Sequence, residues 1–459
     1  MTGYGQGLAT GRRVYDEGRQ AEEPSGTRPD RLAGEGFPRV SYDISLLGRW
    51  HVNNRTGIFR VVEETLIALV EQNECDLVLT STASVRAARQ CLEYLRTVPS
   101  LAHLPFVRSE SALRVSAILQ TGLDYPRVSS EHSIPVKVFH KPLWWAAKLN
   151  QRYADWRDAR TSRRLDIFHS PFYPLPRPRR TGGAQRYLTV YDLIPLRFPQ
   201  FCGVGAVNDH TSILQSLRPS DWAICISQAT KDDLCAYTSR DPARTFVVPL
   251  AASRDVFHPV GDAATIRTVA QRYGIPDAPY ILSLNTLEPR KNIDLAIRSF
   301  SQMVRQEGIK ELHFVLVGYR GWMYDKIFEA IGQSGLSPDR FIVTGYVPDQ
   351  DLAAIYGGAI SFVFPSFYEG FGLPVLEAMQ CGTPVLSSNT SSLPEVAGDA
   401  AILLDPHDAD GWSQGMLDLY RSADLRASMS ARSRERASCF SWKRTAQETL
   451  NAYRVATAG

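Results

Sequence analysis

Twelve short apolar runs alternating with helical patterns limit this chain to parallel sheets covered by helices on both faces. The first series is VSYDISLL (40–47), DLVLTST (76–82), DIFHSP (166–171), RYLTVYDLIP (186–195), DWAICIS (221–227) and TFVVPLA (245–251). The second is YILSLN (280–285), FVLVG (314–318), FIVTGY (341–346), ISFVFPS (360–366), PVLSSN (384–389) and AAILLDP (400–406). Between the first two runs, Val62, Leu66, Leu69 and Val70 fall on one helical face. A break near 255–278 separates the series, so the expected α/β architecture is two Rossmann-like, doubly wound domains facing a cleft. The boundaries are 39–258 for the N-terminal domain, 259–438 for the C-terminal domain and 439–459 for a closing helix. Ligands of open parallel sheets bind beyond the strand C-termini, which places the site in that cleft.

Residues 1–38 read as a disordered tail. They are rich in Gly, Arg and acidic residues and lack the apolar content to offset ordering entropy. Gly3, Gly5 and Gly7 imitate a phosphate loop, but no strand precedes them and no helix pattern follows. A formal net charge of +3 over 459 residues argues against a nucleic-acid partner and requires any anion to be held locally. The seven cysteines form no CxxC pair, which argues against a disulfide framework or zinc site. No apolar run approaches the length of a membrane span and no signal-peptide core opens the chain, so a cytoplasmic location is expected. Segment 139–164 joins Trp144, Trp145 and Trp156 to many Lys and Arg residues. It reads either as a peripheral contact on the inner face of the membrane or as a solvated helix packed on its own domain.

The stretch SFYEGFGLPVLEAMQCGTPVLSS (366–388) describes a strand end, a glycine turn, a short helix and a glycine stop. Gly370 and Gly372 permit a tight turn, Pro374 suits a helix start, and Gly382 suits its end. The N–H groups of Phe371, Gly372 and Leu373 are then available for a diphosphate. Glu369 precedes the turn and Glu377 lies about one helical turn in, so both can face one ligand, one toward a sugar and the other toward a ribose diol. Thr286–Asn292 (TLEPRKN) sets Arg290 and Lys291 at a strand-to-helix junction, where cations complement phosphate oxygens; Asn292 or Asp294 is the expected helix cap.

Together these two motifs resemble the retaining glycosyltransferases of family 4, which have the two-domain B-type fold. The resemblance covers roughly 40–459 and is strongest in the second half. It implies that Arg290 and Lys291 hold the donor diphosphate, that Glu377 binds the ribose, and that Glu369 with the backbone of Gly370, Phe371, Gly372 and Leu373 holds the donor sugar and phosphate. Gly345-Tyr346-Val347 resembles the base-seating loop, with Gly318 in the same wall. Asn53–Arg60 (NNRTGIFR) resembles the glycine loop across the cleft and contributes Gly57 and Arg60. Many relatives carry a sugar-contacting His where this chain has Tyr191. Either the Tyr191 hydroxyl substitutes, or His169 does part of the work, or both are structural. The resemblance further implies retention of configuration and no cofactor or metal, with a nucleoside-diphosphate sugar as donor and a glycan or lipid-linked glycan as acceptor. Mannose from GDP-mannose is the first expectation. Asp408-Ala409-Asp410 spells a metal-binding DxD but stands before a helix, where capping explains it. An epimerase, a phosphorylase or a non-catalytic nucleotide-sugar-binding partner would share the architecture. An NAD-linked dehydrogenase would need a glycine fingerprint that the sequence lacks.

Overall fold

The computed structural model describes residues 37–49, 57–107, 165–318, 321 and 325–458. Residues 1–36 of the tail, Asn53–Thr56 and segment 139–164 lie outside the described residues. Every apolar run of the sequence contains a strand. The first sheet holds β1 (Arg39–Asp43), β2 (Asp76–Thr80), β3 (Ile167–Ser170), β4 (Gln185–Val190), β5 (Trp222–Cys225) and β6 (Thr245–Val247). The second holds β7 (Tyr280–Leu284), β8 (His313–Val317), β9 (Phe341–Gly345), β10 (Ser361–Phe364), β11 (Val385–Ser388) and β12 (Ile402–Leu404). Strand orders are β2-β1-β3-β4-β5-β6 and β12-β11-β10-β7-β8-β9, and neighbouring strands run parallel. These are two Rossmann-like lobes, as the strand rhythm predicts.

The second sheet reverses its winding between β7 and β10, which lie side by side. That is a topological switch point, where the loops leaving adjacent strands diverge and open a crevice. The TLEPRKN loop leaves β7 and the SFYEGFG loop leaves β10, so both motifs flank the crevice. Consecutive apolar residues buried on both faces explain why the strands stay put: Ile281, Leu282, Phe314, Val315, Phe362 and Val363 are almost fully buried. Each such side chain contributes roughly 1.5–3 kcal/mol by burial.

The lobes share a core. Val61 and Ile226 of the first lobe belong to the same apolar cluster as Val375, Leu376 and Leu393 of the second. The last helix, Trp442–Thr457, returns to the first lobe, where Ala446, Leu450 and Tyr453 pack among Tyr42, Phe59 and Leu66. Two polar ties fix its register: the Tyr187 hydroxyl donates to the Ala452 carbonyl at 2.6 Å, and the Thr445 hydroxyl donates to the Pro249 carbonyl at 2.8 Å.

One ion pair in the first lobe is fully enclosed. The Arg186 guanidinium meets the Asp221 carboxylate, with Nε 2.8 Å from Oδ1, and both side chains are buried. Removing one partner strands the other charge away from water. Asp221→Ala is therefore expected to lower stability by about 3–5 kcal/mol, measured by urea unfolding. A parental midpoint and slope would show that Arg186 reaches solvent at little cost.

Candidate active site

Close backbone approach builds the crevice floor. Gly318, at φ +142°, stands so near the end of β7 that a β-carbon there would lie 1.8 Å from the Asn285 carbonyl oxygen. Only glycine fits. Its N–H donates to the Gly345 carbonyl at 2.9 Å, which joins the loops after β8 and β9 into one wall. In that wall Val347 is buried in the core, so it offers backbone rather than side chain, whereas Tyr346 is exposed.

The cations sit on a single 3-10 turn, Pro289–Lys291. Asn292 follows in the left-handed region at φ +54° and does not cap the next helix with its side chain, contrary to the sequence expectation. Instead its Nδ2 donates to the carbonyls of Pro365 (3.1 Å) and Pro406 (2.7 Å), anchoring the turn beside β10. There Lys291 Nζ lies 2.7 Å from Glu369 Oε1 and 5.2 Å from the centre of the Phe364 ring. Arg290 Nη1 lies 3.1 Å from Glu369 Oε2 and 2.6 Å from the Tyr368 carbonyl, and Nη2 lies 2.5 Å from Glu288 Oε1. Burial alone would raise the Glu369 carboxyl, but Arg290 and Lys291 outweigh it and hold the group down at about 2. The Lys291 ammonium is lowered as well: burial first, then Arg290, outweigh the pull of Glu369. Because the folded-state carboxyl lies below its ordinary 4.5, the Glu369 cluster stabilises the fold fully above about that pH. The contribution is lost as pH falls toward 2.

The glycine loop completes the site. Gly372 takes φ +105° at the start of the Leu373–Gln380 helix, a conformation that L side chains rarely adopt. Among the described residues, the N–H groups of Gly370, Phe371 and Gly372 have no acceptor. Across the cleft, Gly57 begins the Gly57–Gln72 helix, and a β-carbon on it would lie 3.7 Å from Leu373. Two helix N-termini thus converge, each carrying partial positive charge. The Phe371 ring is buried edge-on to Phe440 at 5.9 Å, so this residue presents its amide and not its ring.

Glu377 is buried, with one partner on each carboxylate oxygen. Arg60 of the first lobe places Nη2 2.9 Å from its Oε1 and Nη1 3.4 Å from Asp349 Oδ2, and the Tyr356 hydroxyl lies 3.2 Å from Oε2. Burial pushes the Glu377 carboxyl up, and Arg60 opposes that shift. Arg60 therefore reaches the site through the carboxylate that the resemblance assigns to the ribose.

The structure parts the two aromatic candidates of the first lobe. Tyr191 is at the junction: its carbonyl accepts from the Thr230 hydroxyl at 3.2 Å and packs against Gly370. Its hydroxyl is pushed well above the ordinary phenol range, by burial and then by Tyr42. His169 is instead inside the first lobe, a correction to its candidacy. Its Nδ1 pairs with the Tyr453 hydroxyl at 2.5 Å and its Nε2 with the Thr189 hydroxyl at 2.8 Å, which uses both ring nitrogens. Burial lowers the imidazole to about 3, so it stays neutral and acts as a structural bridge to the last helix. The DxD carboxylates serve the helix Ala409–Arg421: Asp408 accepts from the Gly411 N–H at 2.9 Å, and Asp410 accepts from Gln302 Nε2 at 2.9 Å.

Sequence reasoning missed Asp349 and Tyr356, and it named Asp192 only as part of the cleft-lining strand end Tyr191–Pro195. Asp349 and Tyr356 stand on one helix, Asp349–Gly358, and act through Arg60 and Glu377. Asp192 lies in the field of Arg290 and Glu369, with its carboxyl raised by burial against the pull of His210. Asp349, in GYVPDQD just after the base-loop motif, was the one with a usable signal.

Residues 266–436 match the family model for glycosyl transferases group 1. The chain is 34% identical over 290 residues to O-antigen chain mannosyltransferase B of Escherichia coli, covering 63% of this chain and 74% of that protein. It is 29% identical over 289 residues to the serotype-specific mannosyltransferase WbdA of Escherichia coli, covering 62% of this chain but 35% of that one. Among solved structures, Anabaena Alr3699/HepE in complex with UDP and glucose superposes with a TM-score of 0.58 at 15% identity, over 90% of this chain and 98% of that one. Sucrose-phosphate synthase from Thermosynechococcus elongatus superposes with a TM-score of 0.58 at 18% identity, over 92% and 99%. At these identities the superpositions speak for the B-type glycosyltransferase fold. With the fold, the switch-point loops and the relatives in agreement, the chain belongs to the glycosyl transferases group 1 and is a glycosyltransferase.

Proposed function

We propose that this chain is a retaining, metal-independent hexosyltransferase. It moves a sugar, mannose first, from a nucleoside-diphosphate donor to a hydroxyl of a glycan or lipid-linked glycan in surface polysaccharide synthesis. The observation that carries the reading is the convergence of Lys291, Arg290 and the unpartnered amides of 370–372 beside Glu369. Donors fixed before the reaction stabilise the charge that develops on a departing diphosphate, and they do so at no reorganisation cost. Lys291 has three N–H donors, and one bond to Glu369 leaves the others for phosphate oxygens. Glu369 holds the cation pair in register and faces the sugar. Glu377 receives the ribose, and Tyr346 with the Gly345 and Val347 backbone seats the base. The Tyr191 loop lines the acceptor side against Gly370.

Mannose and a polysaccharide setting are supported by the two relatives named as mannosyltransferases, one of them for O-antigen chains. Metal independence is supported by the two cations, which supply the positive charge, and by the engagement of Asp408 and Asp410 at a helix start. The test is turnover of GDP-mannose and UDP-sugars with lipid-linked glycan acceptors in EDTA, with the anomeric configuration of the product read by NMR. An α-linked product from an α-donor without added metal is expected. An inverted product, or turnover abolished by EDTA and restored by a divalent ion, would contradict the reading.

Arg60 tunes the ribose carboxylate in this scheme. Arg60→Met removes the charge that opposes burial, so the Glu377 carboxyl rises further. An ionised carboxylate accepts ribose hydroxyls more strongly than a neutral one. The pH at which nucleoside-diphosphate binding reaches half its maximum is therefore expected to move upward in the variant. Titration curves that superimpose on the parent's would remove Arg60 from this role.

A further inference from the structure

Two serine hydroxyls reach three successive carbonyls of the glycine loop, Ser392 sharing its single proton between two of them. Ser392 Oγ lies 3.0 Å from the Glu369 carbonyl and 2.9 Å from the Phe371 carbonyl. Between them, the Gly370 carbonyl accepts from Ser227 Oγ of the first lobe at 2.7 Å, with Thr230 Oγ1 at 3.3 Å. We propose that Ser392 and Ser227 are positioning residues that set the peptide planes of this loop and thereby aim its amide N–H groups at the donor diphosphate. This rests on the donor-site reading above.

The argument is one of peptide geometry. In a planar trans peptide, the carbonyl of one residue points opposite to the N–H of the next. Holding the Glu369 and Phe371 carbonyls on Ser392 turns the N–H groups of Gly370 and Gly372 away from it. Holding the Gly370 carbonyl on Ser227 turns the N–H of Phe371 away from the first lobe. These three amides, like that of Leu373, have no acceptor among the described residues. Successive N–H groups fixed in this way form an anion-binding concavity.

The two serines are themselves tied together. Ser392 occupies the N-cap position of the Leu393–Ala397 helix yet makes no capping bond; its hydroxyl proton is directed at the loop. Three residues on, Glu395 reaches across the lobes and accepts from the N–H groups of Gln228 and Ala229, each at 2.7 Å. Those amides open the helix that Ser227 caps. The segment 392–395 thus holds the loop directly through Ser392 and indirectly through the helix that presents Ser227. A loop of two glycines has little stiffness of its own, so its preorganisation comes from these partners.

The test uses the full chain with Ser392→Ala and Ser227→Gly, the second chosen because glycine is nearly as good an N-cap as serine. Dissociation constants for UDP, GDP, UMP and GMP are measured by calorimetry, with melting temperatures alongside. The diphosphate bound by the parent is expected to weaken about tenfold in each variant, while its monophosphate is unchanged. A merely structural role would instead lower the melting temperature and weaken both nucleotides in proportion, and that result overturns the inference. So does a parental diphosphate-to-monophosphate ratio in either variant. Should Ser392→Ala not fold, Ser227→Gly decides the matter from the other lobe. A parent that binds neither UDP nor GDP sinks the donor site and this inference with it, whereas a binding parent with unaltered variants sinks the inference alone.

Discussion

Lys291→Met is expected to lower kcat on the order of a hundredfold to a thousandfold, the usual effect of losing one preorganised donor to a developing anion. Methionine keeps much of the stem volume against the Phe364 ring while removing the three N–H donors. The fold should survive, because Arg290 still faces Glu369 at 3.1 Å. The Glu369 carboxyl should rise from its low value of about 2, since one of the two cations that oppose burial is gone. Steady-state kinetics with the natural donor check the first part, and an acid-unfolding profile shifted to higher pH checks the second. A variant with parental kcat would place the departing diphosphate elsewhere.

Gly370→Ala is the second large effect, and here the cause is steric. A β-carbon at position 370 would lie 2.2 Å from the Tyr191 carbonyl oxygen and 3.0 Å from the Asp192 β-carbon. Both neighbours belong to the opposite lobe and the nearer atom is backbone, so the lobes must part or the loop must move. Either response breaks the bonds from Ser227 and Thr230 to the Gly370 carbonyl. A misplacement of about 1 Å in a reacting geometry costs roughly a hundredfold in rate. The alanine variant is expected to lose about that much kcat, with a melting temperature a few degrees lower. A variant with parental turnover would mean that the junction yields at no cost to chemistry.

The strands were legible because burial on both faces writes them as short apolar-rich runs, such as FVLV at β8 and FVF at β10. The Arg290–Lys291 and Glu369–Glu377 motifs were legible for a related reason. Each lies within one loop or one short helix, where spacing alone decides which atoms meet. Contacts between distant segments left no such mark. Arg60 pairs with Glu377 across 317 positions of sequence, and Glu395 caps a helix 166 residues away. His169 shows the opposite failure. Its place at the end of a strand suggested the cleft, but the last helix returns over it and Tyr453 takes its Nδ1. Asn292 likewise looked like a helix cap, until the left-handed turn redirected its amide to Pro365 and Pro406.

The central claim is that a nucleoside-diphosphate sugar binds between Lys291 and Glu377. Saturation binding of the purified protein to UDP- and GDP-sugars, with Lys291→Ala and Glu377→Ala in parallel, tests it most directly. Binding of one nucleotide class by the parent, lost in both variants that remain folded, is the expected result. No binding at all, or two folded variants that bind like the parent, would contradict it.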